Sequence, residues 1–495
     1  MGATFRPSAN VQRMRIFKNV LYIGAMQVSS ILLGIVLMRH VSHTLGAELL
    51  GINSFGFAVA GYMALFAQLG ISVYGVREIA KCQGDTRLRQ QVFSRGITYQ
   101  AFFTGIVLVV FVTWACLYPD GNSRYYLLFT LTILSYMTDL TWFYGGIERY
   151  DKISLRIVTS RLVGTLAIIF LVTTPQHLAR MIAIQQGALL LSNLFFWLPL
   201  RHYGIRVRLA PLTETLKTML RPCLAVFLPI LIIGAFDTLD KVILGLLATK
   251  QEVAIYDYPA RLARVGTIIA GVLGNVMIPR LASLWGQHSR EVFSQALHDQ
   301  IFYGLLIGVL ISGGIYITAE PTCNILLDAS FQGSGAVLSI LSLSVFPVGM
   351  GLYHCAMAIG RERQLSRPLL VLSVTAVGLY ALTTHLYGSR GLAVTFVAMV
   401  LLCNTLYAYT LRDVLNFNAL FGHLARLMLF ALIAIAAAWF IRPDNPFVAF
   451  ILRGGTFAAT YCLLAYLRYP KIGLWLRDLL AQIFKRKSNT GATSK

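Results

Sequence analysis

The amino-acid sequence predicts an all-α polytopic membrane protein of about fourteen transmembrane helices, arranged as two six-helix lobes with two extra C-terminal helices. Three observations carry that reading. Of the 495 residues, 57% are hydrophobic and only 13% are charged, about half the charged share of an ordinary soluble protein; mean hydropathy is +0.68. Apolar runs of about 20 residues, the helix length that crosses a ~30 Å hydrocarbon core, recur from end to end. The basic residues concentrate on alternate connections.

In chain order the expected spans are Val20–Arg39, Leu49–Leu69, Ile97–Tyr118, Tyr125–Gly145, Ser154–Thr173, Met181–Leu200 and Cys223–Ala248. They continue with Val253–Met277, Ile301–Ala319, Ala336–Ile359, Pro368–Tyr387, Leu392–Leu411, Leu424–Ile441 and Phe447–Leu467. An even number places both termini on one side. Connections and ends on that side hold 31 of the 42 basic residues, against six opposite: Arg39, Arg124, Arg180, Lys250, Arg390 and Arg442. Positively charged connections stay inside, so both termini are expected in the cytoplasm and the protein in the cytoplasmic membrane. The net charge of +22 is thus a topology signal, and nucleic acid drops out as a partner. Arg6, Arg13, Arg15 and Lys18 precede an uncleaved first span, since no small-residue cleavage site follows it.

The connections exclude further classes. None is long enough for a catalytic domain, and no Walker A, HExxH or GxSxG pattern occurs. The expectation is a non-enzyme without cofactor, with a proton or Na⁺ gradient as the candidate energy source. The seven cysteines are scattered and odd in number, which gives neither a zinc site nor a disulfide framework and suits small packing residues. Beyond the last span, Ile472, Trp475, Leu476, Leu479, Leu480 and Ile483 recur at helical spacing among basic residues. That pattern predicts an amphipathic helix on the inner membrane face.

Spans 2 and 8 share a frame. Gly51-Ile52-Asn53 follows Glu48 as Ala254-Ile255-Tyr256 follows Glu252, and Arg77 and Arg280 each stand 26 residues after the first of these. Two parallel repeats follow, a recurrent transporter design. The divisions are 1–210 and 211–415 for the lobes, 416–468 for the added spans and 469–495 for the tail. The second lobe opens with a hairpin, Ala235–Leu281, turning at Thr249–Glu252 and carrying Asp237, Asp240, Lys241, Asp257, Arg261 and Arg264 in apolar surroundings. A charge at mid-bilayer costs at least about 2.5 kcal/mol, so such residues face a partner or a watery cavity. Both readings stand: Asp237–Lys241 and Asp257–Arg261 are i,i+4 pairs and the set is neutral, yet helices pack without charges and buried pairs seldom add stability. Asp139 and Arg161 lie at similar depth in spans 4 and 5, as a structural pair or in a coupling or substrate role. Trp142, Phe143 and Tyr144 suit an interfacial aromatic belt better than a sugar platform. Gly304 and Gly308 suggest close helix packing; His354 and His385 stand alone.

Several blocks resemble one family. LGAELLGINSFGFAVAGYMALFAQLGISVYGVREIA (Leu45–Ala80), DLTWFYGGIERYDK (Asp139–Lys152), LDKVILG (Leu239–Gly245), YDYPARLARV (Tyr256–Val265) and VMIPRLASL (Val276–Leu284) are similar, in this order, to Wzx-type polysaccharide flippases. The resemblance implies the multidrug/oligosaccharidyl-lipid/polysaccharide exporter fold, two lobes alternating between inward- and outward-open states. Its substrate would be an undecaprenyl-diphosphate-linked oligosaccharide carried to the outer leaflet by ion-coupled alternating access, among membrane lipids and other polysaccharide assembly proteins. One departure is visible: His43 stands where relatives often carry arginine, placing a titratable group by the outer mouth. Cationic side chains lower the barrier to a diphosphate, so Lys241, Arg261, Arg264, Arg161, Arg39 and His43 are candidate substrate contacts. Asp237, Asp240, Asp257 and Asp139 are candidate ion-coupling carboxylates. A drug/cation antiporter or a lipid II flippase of the same fold remains an alternative. A multispan polysaccharide polymerase is a further one, although the long external loop that would mark it is not seen.

Overall fold

The computed structural model describes residues 9–82, 84–234, 238–286 and 290–470. The expected amphipathic tail helix and Asp237 lie outside the described residues. Among the described residues the structure is helical, without a strand. The first helices are α1 (Ala9–Gln68), α2 (Ile71–Lys81), α3 (Thr86–Leu117), α4 (Ser123–Leu127), α5 (Thr130–Met137) and α6 (Thr141–Gly146). Next come α7 (Tyr150–Leu171), α8 (Leu178–Leu194), α9 (Leu212–Gly234), α10 (Asp240–Leu247), α11 (Lys250–Gly286) and α12 (Arg290–Leu326). The last are α13 (Ser334–Ser342), α14 (Val345–Gly349), α15 (Leu352–Ala358), α16 (Ser366–Thr410), α17 (Phe417–Trp439) and α18 (Pro446–Arg468). Several starts are fixed by side-chain caps: Asp85 accepts from the amides of Arg87 and Leu88, and Asn445 from that of Phe447 with Pro446 as first helical residue.

Ten helical stretches among the described residues are long and apolar enough to cross a membrane. Twelve of the fourteen expected spans appear in them, some joined into one helix; Tyr125–Gly145 and Cys223–Ala248 do not. α1 has 60 residues, ~90 Å at 1.5 Å per residue, about three times the hydrocarbon thickness. It is interrupted at Gly46 (φ 75°, ψ 173°), between the first two expected spans; only glycine adopts that conformation without a steric penalty. α16 is interrupted likewise at Gly388 (φ 57°, ψ −140°), between Pro368–Tyr387 and Leu392–Leu411. Each break frees the following amide. The Ala47 N–H donates to Ser330 Oγ at 3.0 Å and the Ser389 N–H to Glu252 Oε2 at 2.9 Å.

One other expected span is not continuous. Tyr125–Gly145 is divided among α4, α5 and α6. Apolar content could not reveal this, because a broken helix and an intact one have the same hydropathy. The broken backbone finds partners in neighbouring segments. Gln100 donates to the carbonyls of Tyr136 and Asp139, Asn193 to that of Ser135 and Trp197 to that of Thr138. Inside a membrane an unpaired carbonyl costs several kcal/mol, so these polar side chains are what makes the break tolerable.

The contacts gather the chain into two compact units. The first comprises residues 1–258, 326–333 and 369–395; the second 259–325, 334–368 and 396–495. The first has its core around Trp142, whose ring lies where a Cβ on Gly75 or Gly96 would come within 2.7 Å, and whose Nε1 donates to Gln100 at 3.2 Å. Trp142, Phe143 and Tyr144 are all buried to 1% exposure or less. This corrects the aromatic-belt expectation: the three rings are core, stacked with Phe93 and Phe196. In the second unit Gly304 packs against Gly349 so closely that a Cβ would sit 2.0 Å from its carbonyl oxygen. Phe457 and Tyr461 of α18 enter that unit's core, the tyrosine donating to the Leu306 carbonyl at 3.1 Å.

Candidate functional site

α10 and the first turns of α11 set up a buried polar layer in the first unit. Near the start of α10 the Lys241 amide donates to Asp240 Oδ1 at 2.7 Å. Lys241 Nζ lies 3.2 Å from the same oxygen. The hydroxyl of Tyr256 on α11 donates to Oδ2 at 2.8 Å. The next residue of α11, Asp257, accepts from Ser54 of α1 at 2.7 Å. Asp240, Lys241 and Asp257 are 2%, 9% and 3% exposed, and Asp257 lies ~10 Å along α11 from Lys250 by helical rise. The ammonium thus meets the adjacent carboxylate, Asp240. Asp237, its expected i,i+4 partner, lies outside the described residues.

A second buried carboxylate stands where α5 ends and α6 begins. Asp139 accepts from Thr141 Oγ1 at 2.8 Å and the Thr141 amide at 3.1 Å, with Gln68 at 3.4 Å. Its cation is Arg156, at 3.8 Å, rather than Arg161. This corrects the expected Asp139–Arg161 pair. Arg156 is about one and a half helical turns closer to the N-terminal end of α7, packs its guanidinium 4.2 Å from the Phe196 ring centre, and also donates to Asn193. Arg161 instead presents an exposed side chain midway along α7.

Arg261 and Arg264 are exposed on α11, and Arg39 and His43 are exposed near the end of the first α1 segment. His43 lies close enough to Asp328 for its charge to be felt. The Asp328 carboxyl is held below the usual carboxylate range, chiefly by the Ser330 amide it accepts from at 3.0 Å, with His43 a lesser contributor. A cavity of about 290 Å³ opens nearby, its lining including Glu252, Gln332, Ser389 and Arg390. Among the described residues no group of three or more His, Cys, Asp and Glu stands together as a metal site.

The structure therefore brings Asp240, Lys241 and Asp257 into one layer; Arg161 stands on α7, and Arg39 and His43 stand on α1 near Gly46. Besides Arg156, it adds residues that a search for charges passes over: Ser54, Tyr256, Gln68, Gln100 and Asn193. Their signal was present as uncharged polar residues inside apolar runs, which need partners as much as charges do. Chemically, the layer holds a lysine that is neutralised by a carboxylate already carrying two further donors. It can exchange that partner for another anion, and its carboxylates can exchange a cation.

Comparison with known proteins bears on what this layer serves. The sequence pattern of a protein family described as "Polysaccharide biosynthesis protein" matches residues 16–285. The "Putative O-antigen transporter" of Escherichia coli (strain K12) is 21% identical over 383 residues, covering 76% of this chain and 86% of that protein. Among solved structures, "Lipid II flippase MurJ, inward closed conformation" superposes with a TM-score of 0.73 at 13% identity, covering 92% of this chain and 99% of that one. An inward-facing multidrug resistance MATE family transporter of the MOP superfamily gives 0.56 at 16% identity, covering 82% and 99%. At these identities the structures establish the shared fold.

Proposed function

Since the chain belongs to the polysaccharide biosynthesis protein family, we propose that it is a flippase moving undecaprenyl-diphosphate-linked oligosaccharide from the inner to the outer leaflet of the cytoplasmic membrane. The observation that carries the reading is the buried Asp240–Lys241–Tyr256 layer, beside Ser54–Asp257, in a fold shared with a lipid II flippase. A diphosphate crossing a low-dielectric region needs cationic donors along its way. Lys241 is the central one, with Arg161, Arg261 and Arg264 exposed for other stages of the path and Arg39 and His43 toward the outer mouth. Residues 1–210 and 211–415 would move as the two lobes, with both termini in the cytoplasm.

Coupling follows from the same pair. In the empty site Asp240 neutralises Lys241, which keeps an unpaired cation out of the membrane interior. A proton or Na⁺ taken by Asp240 would release the ammonium to the incoming diphosphate, and Asp257 and Asp139 are the other carboxylates placed to take a cation. Loss of the cation on the far side would return Asp240 to Lys241 and expel the anion. The likeness to a MATE transporter favours a second reading, a drug/cation antiporter, in which the acidic groups of the layer would bind the cargo.

The test is made in cells. Deleting the gene in a strain with no other flippase should leave the lipid-linked oligosaccharide inaccessible to an impermeant sugar-reactive probe, and a plasmid copy should restore access. Unchanged outward exposure on deletion rejects the function.

A further inference from the structure

We propose that Lys250 is the knob of a polar joint that closes the outer side of the protein and must come apart in each transport cycle; the inference rests on the alternating-access reading above. Lys250 is the first residue of α11, at the turn after α10, in the half of the sequence assigned to the second lobe. Its socket is built by first-lobe residues: Phe55 of α1, and Tyr118 and Asp120 just after α3. The ammonium stands 3.7 Å from the centre of the Phe55 ring, 3.4 Å from the Tyr118 hydroxyl and 3.5 Å from Asp120 Oδ2. Its fourth contact is backward, a 2.7 Å bond to the Gly245 carbonyl. That carbonyl lies in the last turn of α10, where partial negative charge favours a cation. Tyr126 donates to Asp120 Oδ2 at 2.5 Å and holds the carboxylate in place. Both charged side chains are mostly enclosed, at 14% and 20% exposure.

The seat is shaped by glycines on both sides. A Cβ on Gly51 of α1 would lie 1.7 Å from the Lys250 carbonyl oxygen, and one on Gly245 would lie 2.1 Å from the Phe55 ring. Neither separation tolerates a side chain: glycine at 51 lets the two backbones meet, and glycine at 245 leaves room for the Phe55 ring. Further polar contacts extend the joint: Gln251 donates to the Ser330 carbonyl at 2.9 Å, and the amides freed at Gly46 and Gly388 reach Ser330 and Glu252. Residues 211–258, 326–333 and 369–395 belong to the same compact unit as the first 210.

The chemistry suits a contact that opens. Apolar residues of the same size would hold two surfaces together as well as a buried ion pair does. On separation, however, they would expose an apolar patch, whereas Lys250 and Asp120 are taken up by water. A polar joint keeps the open and closed states within the few kcal/mol that ligand binding can reverse.

Lys250 is the only lysine in the connections expected on the outer side, which supplies a direct readout. The full-length protein in right-side-out vesicles is treated with an impermeant amine-reactive ester, and modification of Lys250 is followed by peptide mass spectrometry. Lys250 of the parent should react slowly. Asp120→Asn, which removes the charge partner, and Gly51→Ala, which wedges the backbones apart, should each speed the reaction by about tenfold. Should Gly51→Ala fail to insert, Asp120→Asn decides alone. Equal rates in parent and variants, or reaction only after the vesicles are opened, overturn the joint. Neither result touches the transport reading, which the leaflet assay judges separately.

Discussion

Replacing Lys241 separates a structural ion pair from a transport residue. In Lys241→Met the Asp240 carboxylate, 2% exposed, keeps only the Lys241 amide and the Tyr256 hydroxyl. Removing one partner of a buried pair costs about 3–5 kcal/mol. The two surviving neutral donors put this site at the lower end, about 3 kcal/mol. Asp240→Asn together with Lys241→Met removes both charges while leaving an acceptor for Tyr256. The double variant should recover to within about 1 kcal/mol of the parent, since replacing both partners of such a pair is often close to neutral. Unfolding in mixed micelles measures the stabilities, and leaflet exposure of the lipid-linked oligosaccharide measures transport in the same variants. The expected result is a double variant that is stable and inactive. A double variant that is stable and transports like the parent refutes the assignment and reduces the pair to a structural one.

Other outcomes follow from separate parts of the molecule. Trp142→Ala, which empties the space between Gly75 and Gly96 and strips Gln100 of a donor, should cost about 3–5 kcal/mol in the same unfolding assay. Gly304→Ala puts a Cβ 2.0 Å from the Gly349 carbonyl oxygen and should cost about 1–3 kcal/mol, read as a lower Tm in detergent. Asp328→Ala should lower stability at pH 7 by at most about 1 kcal/mol, a cap's typical worth. The sign follows from the depressed carboxyl of Asp328: its contribution is complete above the unfolded value near 3.9 and fades as pH falls through the lower folded value. Parent and variant Tm should therefore converge in acid, and a difference that persists there contradicts the cap. Arg156→Gln should cost more stability than Arg161→Gln, because Arg156 is the partner of buried Asp139 while Arg161 is exposed; equal unfolding midpoints would reverse that assignment.

The helical membrane architecture was legible from hydropathy, because a bilayer admits few backbone solutions for apolar runs of that length. Even the glycine breaks in α1 and α16 fell between expected spans, as turns should. The broken α4–α6 segment was not legible, since its carbonyls are capped by Gln100, Asn193 and Trp197 from distant parts of the chain. Helical spacing also misled where tertiary neighbours decide. Asp139 and Arg161 matched in depth, but the side chain that reaches Asp139 is Arg156, one and a half turns away. The aromatic trio at Trp142 had the composition of an interfacial belt; only the flat seats at Gly75 and Gly96 reveal it as core. The charged hairpin was the most informative stretch, because charge in an apolar run needs a local cause. The sequence located Asp240, Lys241 and Asp257 but not their uncharged partners Tyr256 and Ser54.

Reconstitution tests the central claim most directly. The purified protein is placed in liposomes with a fluorescent undecaprenyl-diphosphate oligosaccharide in both leaflets, and a membrane-impermeant quencher is added outside. An inward-directed ion gradient should make the protected pool accessible at a rate that Lys241→Met abolishes. A protected pool that stays dark with the parent protein, while the same liposomes exchange a cationic drug for the ion, would contradict the account and identify a drug/cation antiporter instead.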